Sequence, residues 1–135
     1  TQDGLRQHFT AIAEATDRSI LIYNIPYRTA VNLGNDTLLR LAELPNIVGV
    51  KDSSGNMAQS LELLANRPKG FSVLTGEDEL FLSNLSHGGD GGILASCHLA
   101  TDAFVDVFRL HAANDHHGAL ARWAPLARMI PALFR

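Results

Sequence analysis

The chain is 135 residues long, which fits one domain and excludes a two-domain reading, and its 46% hydrophobic content against 19% charged residues supplies a core rather than disorder. Eleven Lys and Arg against fourteen Asp and Glu give a net charge of −3, with no basic run to follow a phosphate backbone, so nucleic acid is excluded as the expected partner. The single cysteine, Cys97, allows no internal disulfide and no cysteine-based zinc site, which fits a reducing, cytoplasmic setting.

No run nears the roughly 18 apolar residues of a membrane span, and no secretory signal pattern opens the chain. Residues 1–19 read as a helix already under way, with Leu5, Phe9, Ile12 and Ala13 on one face, so the sequence is expected to begin inside a longer chain. Four apolar or β-branched runs follow: SILIYN (19–24), NIVGVKD (46–52), FSVLTG (71–76) and GGILAS (91–96). They lack polar alternation, as strands covered on both faces do. Helical patterns over 35–44, 56–67 and 77–88 separate them, a longer one over 101–114 follows, and a last one from 116 is expected to be interrupted or kinked by Pro125 and Pro131.

This βα unit, repeated four times, predicts an α/β fold with a parallel sheet. An eight-stranded barrel takes about 250 residues, so four units make half of one, with open edges that would leave the piece marginal or sticky alone. A small doubly wound sheet is the alternative, but no GxGxxG follows the first strand.

Lys51 ends the run IVGV, an unusual place for a residue seldom buried without a partner or a task. If it points inward, Gly49 and Ile47 share its face by the period of two, and the glycine clears space beneath the amine. A lysine so held can act as a neutral amine and form a Schiff base; a strand-end lysine reaching solvent past Asp52 is the alternative. Tyr23 stands at the same place one unit earlier, above Leu21. In a barrel both would face one mouth at the C-terminal strand ends.

The stretch YNIPYRTAVNL (23–33), followed fourteen residues later by VGVKDSSG (48–55), resembles the second signature of the dihydrodipicolinate synthase and N-acetylneuraminate lyase superfamily of class I aldolases. The resemblance covers essentially the whole chain and implies the second half of a TIM (β/α)8 barrel in residues 1–100, strands five to eight, then the last barrel helix and the start of a C-terminal helical region in 101–135. It implies that Lys51 forms an imine with pyruvate, that Tyr23 relays protons, and that the backbone at Ile93 lies near the bound pyruvate. It implies that Gly76 in TGED (75–78) keeps the cavity open. Arg28 resembles the arginine with which the synthase branch holds the carboxylate of L-aspartate 4-semialdehyde, its other substrate in lysine and diaminopimelate biosynthesis; sialic acid and sugar-acid lyases differ there.

Tyr27, Leu94 and His98 depart from the synthase pattern on the side of the acceptor aldehyde. The partners implied are pyruvate and an aldehyde, with a homotetramer as the assembly and neither metal nor organic cofactor. The family's upstream threonine loop and a neighbouring subunit's tyrosine are not among these residues, so the 135 residues alone are expected to turn over little. A sugar-acid aldolase and a non-catalytic, self-associating half barrel are the alternative functions.

Other candidates read as structure. His111, His116 and His117 with Asp115 lack metal-ligand spacing and suit a solvated helix end. GGDGG (88–92) after His87 precedes a strand rather than a helix, so it reads as a tight turn and not a phosphate cradle. Trp123, Leu120, Ala127 and Ile130 read as one packing face.

Overall fold

The computed structural model describes residues 1–134. Their order is α1 (Gln2–Glu14), β1 (Ile20–Asn24), the single turn α2 (Pro26–Thr29), α3 (Asn35–Leu41), β2 (Ile47–Asp52), α4 (Met57–Asn66), β3 (Ser72–Thr75), a 3-10 turn (Asp78–Leu80), α5 (Phe81–Ser86), β4 (Gly91–Gly92), a second 3-10 turn (Ser96–His98), α6 (Thr101–Ala112) and α7 (His116–Leu133).

The four strands form one parallel sheet in the order β1-β2-β3-β4. Right-handed crossovers that always step the same way put their helices on the same side. A doubly wound sheet needs a reversal of order that is not present here, whereas a barrel wall is built by this repetition. The architecture is α/β with a parallel sheet that fits part of a (β/α)8 barrel.

Alternate strand residues sort into two faces. Ile22, Val50 and Val73, aligned in register, join Ala13, Leu38, Leu41, Leu63 and Phe71 in a core between the sheet and α1, α3 and α4. The opposite face carries Leu21, Gly49 and Ser72 in one row and Tyr23, Lys51 and Leu74 in the next. A second core joins α5, α6 and α7, where the rings of Phe81, Phe104 and Trp123 meet at centroid distances of 5.5–6.1 Å.

Several expectations need correction. Ile20 pairs with Ile47 but Leu21 pairs with Gly49, so Val48 bulges out of the ladder and flips the alternation. Ile47 therefore lies in the helix-side core and does not share the face of Lys51. The fourth strand stops at Gly92, because Leu94 turns away into the second core and Ser96 is captured by the buried Asp78 carboxylate. Residues 77–88 open with a 3-10 turn before α5, and α3 ends at Leu41. Helix α7 runs unbroken through Pro125 and Pro131. Both prolines lie on its exposed side, where the carbonyls of Ala121 and Ala127 that lose a donor can be hydrated. Its buried face is Ala119, Trp123, Leu126 and Ile130; Leu120 is exposed, as is Ile12 on α1.

The GGDGG segment is a turn into β4. Gly88 (φ +89°) and Gly91 (φ +144°) adopt backbone that other residues resist, and Asp90 ties the turn to Arg67 and to the Val73 N–H. Among the described residues no helix is long and apolar enough to cross a membrane.

Gly49 is fixed by contact rather than by dihedral angle, since a Cβ there would lie 2.4 Å from the Ser72 carbonyl oxygen and 2.9 Å from Leu21 Cδ1. Gly49→Ala must push β2 from β3 and is expected to cost about 1–3 kcal/mol, read as a lowered urea midpoint without a changed slope.

Candidate active site

Parallel strands end together, so the last inward residues of β1, β2 and β3 line one rim. Register sets Tyr23 beside Lys51, and Lys51 Nζ lies 3.9 Å from the centroid of the phenol ring, within cation–π range. Tyr23 is 45% exposed and Lys51 partly buried. Among the described residues Lys51 makes no ion pair. Asp52 faces the other side of the sheet, buried and hydrogen-bonded, and so is not the group that Lys51 reaches past to solvent.

One glycine makes room for the lysine. The space at Gly49, expected to lie open beneath the amine, is filled by the Ser72 carbonyl and Leu21, whereas a Cβ on Gly76 would lie 2.7 Å from Lys51 Cε and collide with Ser53 Oγ. The lysine stem therefore rests in a notch that any larger residue at 76 would occupy.

Arg28 is carried by α2, which Pro26 starts and the left-handed Ala30 (φ 59°) ends. The Thr29 hydroxyl, with one proton to donate, lies within hydrogen-bond distance of the carbonyls of Ile25 (3.1 Å) and Val31 (3.0 Å) and holds the turn. The guanidinium lies against the Tyr27 ring, 5.4 Å from its centroid, and has no carboxylate within 4 Å among the described residues. Arg28 and Tyr27 line a cavity of about 350 Å³ with Gly76, Glu77, Glu79 and Ile130. Gly76 is thus the wall shared by the lysine notch and the arginine cavity.

Ile93 follows β4 at the same rim, with its side chain 47% exposed. Its N–H donates to the Thr75 carbonyl at 2.9 Å, which leaves its own carbonyl as the uncommitted backbone group. Leu94, expected on the acceptor side, is instead buried among Phe81, Phe104 and Trp123, while His98 is exposed.

Glu77 was not singled out from sequence, although an acid directly after a strand-ending glycine is a usable signal. Its carboxyl is held above the ordinary carboxylate range, first by burial and then by the negative charges of Asp78 and Asp52; the Ser53 hydroxyl acts in the opposite sense. Ser53 Oγ and Glu77 Oε1 are buried without a hydrogen bond of good geometry among the described residues. The same residues include no group of three metal-ligating side chains, and His111 and His116 stack edge to face at 5.3 Å.

The model of the dihydrodipicolinate synthetase family matches residues 1–135. The chain belongs to that family. It is 55% identical over 133 residues to 4-hydroxy-tetrahydrodipicolinate synthase 2 of Clostridium acetobutylicum, covering 98% of this chain and 46% of that protein. It is 48% identical over 122 residues to the 4-hydroxy-tetrahydrodipicolinate synthase of Neisseria meningitidis serogroup B, covering 90% of this chain and 41% of that protein. Among solved structures, the chloride-inhibited dihydrodipicolinate synthase of Acinetobacter baumannii complexed with pyruvate superimposes with a TM-score of 0.94 at 38% identity, over 99% of this chain and 46% of that one. The chain thus spans about half the length of the family members it matches.

The raised pKa of Glu77 has a signed consequence. Below the ordinary carboxylate range the group is protonated folded and unfolded, and contributes nothing; as pH rises through the folded-state value, ionisation in the buried site costs stability. Glu77→Gln is therefore expected to raise the melting temperature at neutral pH, with the gain vanishing near pH 4, as followed by thermal denaturation across that range.

Proposed function

We propose that the protein is a pyruvate-dependent Schiff-base lyase, a 4-hydroxy-tetrahydrodipicolinate synthase that condenses pyruvate with L-aspartate 4-semialdehyde. The observation that carries this reading is the Lys51 amine, 3.9 Å from the Tyr23 ring centroid and seated in a glycine-lined notch at the strand ends. The 135 residues supply strands five to eight of the barrel in 1–100, and the last barrel helix and following helical region in 101–135.

The neutral Lys51 amine attacks the keto carbon, and the carbinolamine loses hydroxide as water to give the imine. Loss of a proton from the neighbouring methyl gives the enamine, whose carbon attacks the aldehyde of the acceptor. Tyr23 is the proton carrier for both stages: its phenol gives a proton to the departing oxygen and can pass one to the new alkoxide. The imine itself is the electron sink, so the reading needs neither metal nor organic cofactor. The Ile93 carbonyl borders the pyruvate site. Arg28, lying against the Tyr27 ring with no carboxylate partner among the described residues, offers a planar fork to the acceptor carboxylate across the Gly76 wall.

The names of the relatives and the pyruvate complex of the Acinetobacter baumannii protein support this assignment. A cytoplasmic homotetramer is the assembly proposed with it. The reading also expects little turnover from the 135 residues alone, because groups positioned by the rest of the barrel would be lacking.

Borohydride reduction in the presence of pyruvate tests the reading. The expected result is one adduct, mapped to Lys51 and not to Lys69, the other lysine of the chain; absence of an adduct, or labelling of Lys69 alone, contradicts it. Arg28→Ala is expected to keep the adduct while condensation with aspartate semialdehyde drops by about 10–100-fold. Unchanged use of that aldehyde, or a preference for hydroxylated aldehydes, would favour a sugar-acid aldolase instead.

A further inference from the structure

On the helix side of the sheet, directly behind the Tyr23–Lys51 pair, lie polar side chains that the imine chemistry does not use. Asn24, 3% exposed, ends β1, and Asp52, 7% exposed, ends β2; register places them side by side. Asn24 Nδ2 donates to Asp52 Oδ1 at 3.0 Å and to Asn32 Oδ1 at 2.9 Å, while Asn24 Oδ1 accepts the Leu33 N–H at 3.0 Å. Asn32 in turn donates to Gln59 Oε1 on α4 at 2.7 Å. Asp52 Oδ2 accepts from the hydroxyls of Ser54 (3.0 Å) and Ser60 (2.8 Å), and Oδ1 accepts from the Ser54 N–H (3.1 Å) as well as from Asn24.

One buried amide therefore ties three things: the end of the Tyr23 strand, the end of the Lys51 strand, and the return of the 25–33 segment that carries Tyr27 and Arg28. Only an amide satisfies this site, since it faces two acceptors with its nitrogen and a donor with its oxygen. An apolar residue there would leave the Leu33 N–H and a carboxylate oxygen short of partners.

We propose that Asn24 is a positioning residue that sets the Arg28 loop against the lysine strand, and with it the distance between the carbon bound to Lys51 and the guanidinium that receives the acceptor. The proposal rests on the pyruvate reading given above. It separates two quantities, because the loop bears on the acceptor, while Tyr23 stays opposite Lys51 through the backbone ladder of β1 and β2, so the imine forms whether or not the loop is held.

Asn24→Asp tests it. Two carboxylates then share one buried site, so one of them keeps a proton to higher pH than usual, and in that form its O–H can donate to Asp52 Oδ1 and remake the tie. The other charges around the site are Lys51 on the same strand and Glu77 after β3; Glu62 on α4 is turned to Asn35. In the intact protein the variant is expected to show an acceptor KM that rises about tenfold as pH increases through this ionisation, with pyruvate trapping on Lys51 changed by less than about threefold. The unsubstituted protein is expected to lack that step.

Asn24→Asp with Asp52→Asn leaves one carboxylate facing one amide and is expected to remove the step, which keeps the test open if the single variant unfolds at high pH. Ser60→Ala, which loosens Asp52 from α4, is expected to lower the melting temperature without creating the step. An acceptor KM in Asn24→Asp that stays at the parent value at every pH, or a uniform loss of stability with no pH step, overturns the proposal while the pyruvate reading stands. Failure of the unsubstituted protein to form a pyruvate adduct overturns both.

Discussion

The register of β1 on β2 is the constraint from which the rest follows. Parallel pairing fixes Tyr23 opposite Lys51 on one face of the sheet and, one residue further on, Asn24 opposite Asp52 on the other. Slippage by one residue would send the lysine into the helix-side core and the aspartate to the rim. The chain resists this through the aligned core row of Ile22, Val50 and Val73 and through the Asn24–Asp52 hydrogen bond at the strand ends. The candidate site and fold specification therefore occupy opposite faces of the same two strand ends.

Two glycines let neighbouring groups approach closely, Gly49 the next strand and Gly76 the lysine. Gly49 is pressed against the Ser72 carbonyl and Gly76 against the stem of Lys51, so neither position accepts even a methyl group without movement. Because Gly76 also walls the cavity of Arg28 and Glu77, the lysine notch and that cavity are adjacent by construction. Arg28 lines that cavity together with Glu77, whose pKa is raised, and with Asp78 and Glu79, so charges of both signs meet there.

What the sequence discloses depends on how local the cause is. The four strand positions and the place of Lys51 and Tyr23 at strand ends are legible, because apolar runs and the period of two are properties of short segments. The bulge at Val48 is not, since it exists only relative to Ile20 and Leu21 on the neighbouring strand, and it is why Ile47 faces the core. The short fourth strand reflects the pull of the second core on Leu94 and of Asp78 on Ser96, both tertiary. The uninterrupted α7 shows proline rules giving way where the freed carbonyls face water. The surroundings of Asn24 and Glu77 arise from partners distant in sequence, and only the family resemblance of 23–33 and of TGED (75–78) marked their neighbourhoods.

The sheet has two outer strands, β1 and β4, and an inward face on which Tyr23 and Ile93 are exposed, consistent with a chain that spans about half of the family members it matches. The central claim is that Lys51, beside Tyr23 in its glycine notch, is the group that holds pyruvate. A crystal structure of the protein after exposure to pyruvate tests it most directly. The account predicts unbroken density from Lys51 Nζ to the former keto carbon, with the Tyr23 hydroxyl within hydrogen-bond reach of it; pyruvate bound elsewhere, or a Lys51 side chain turned out of the notch with no attached density, would contradict it.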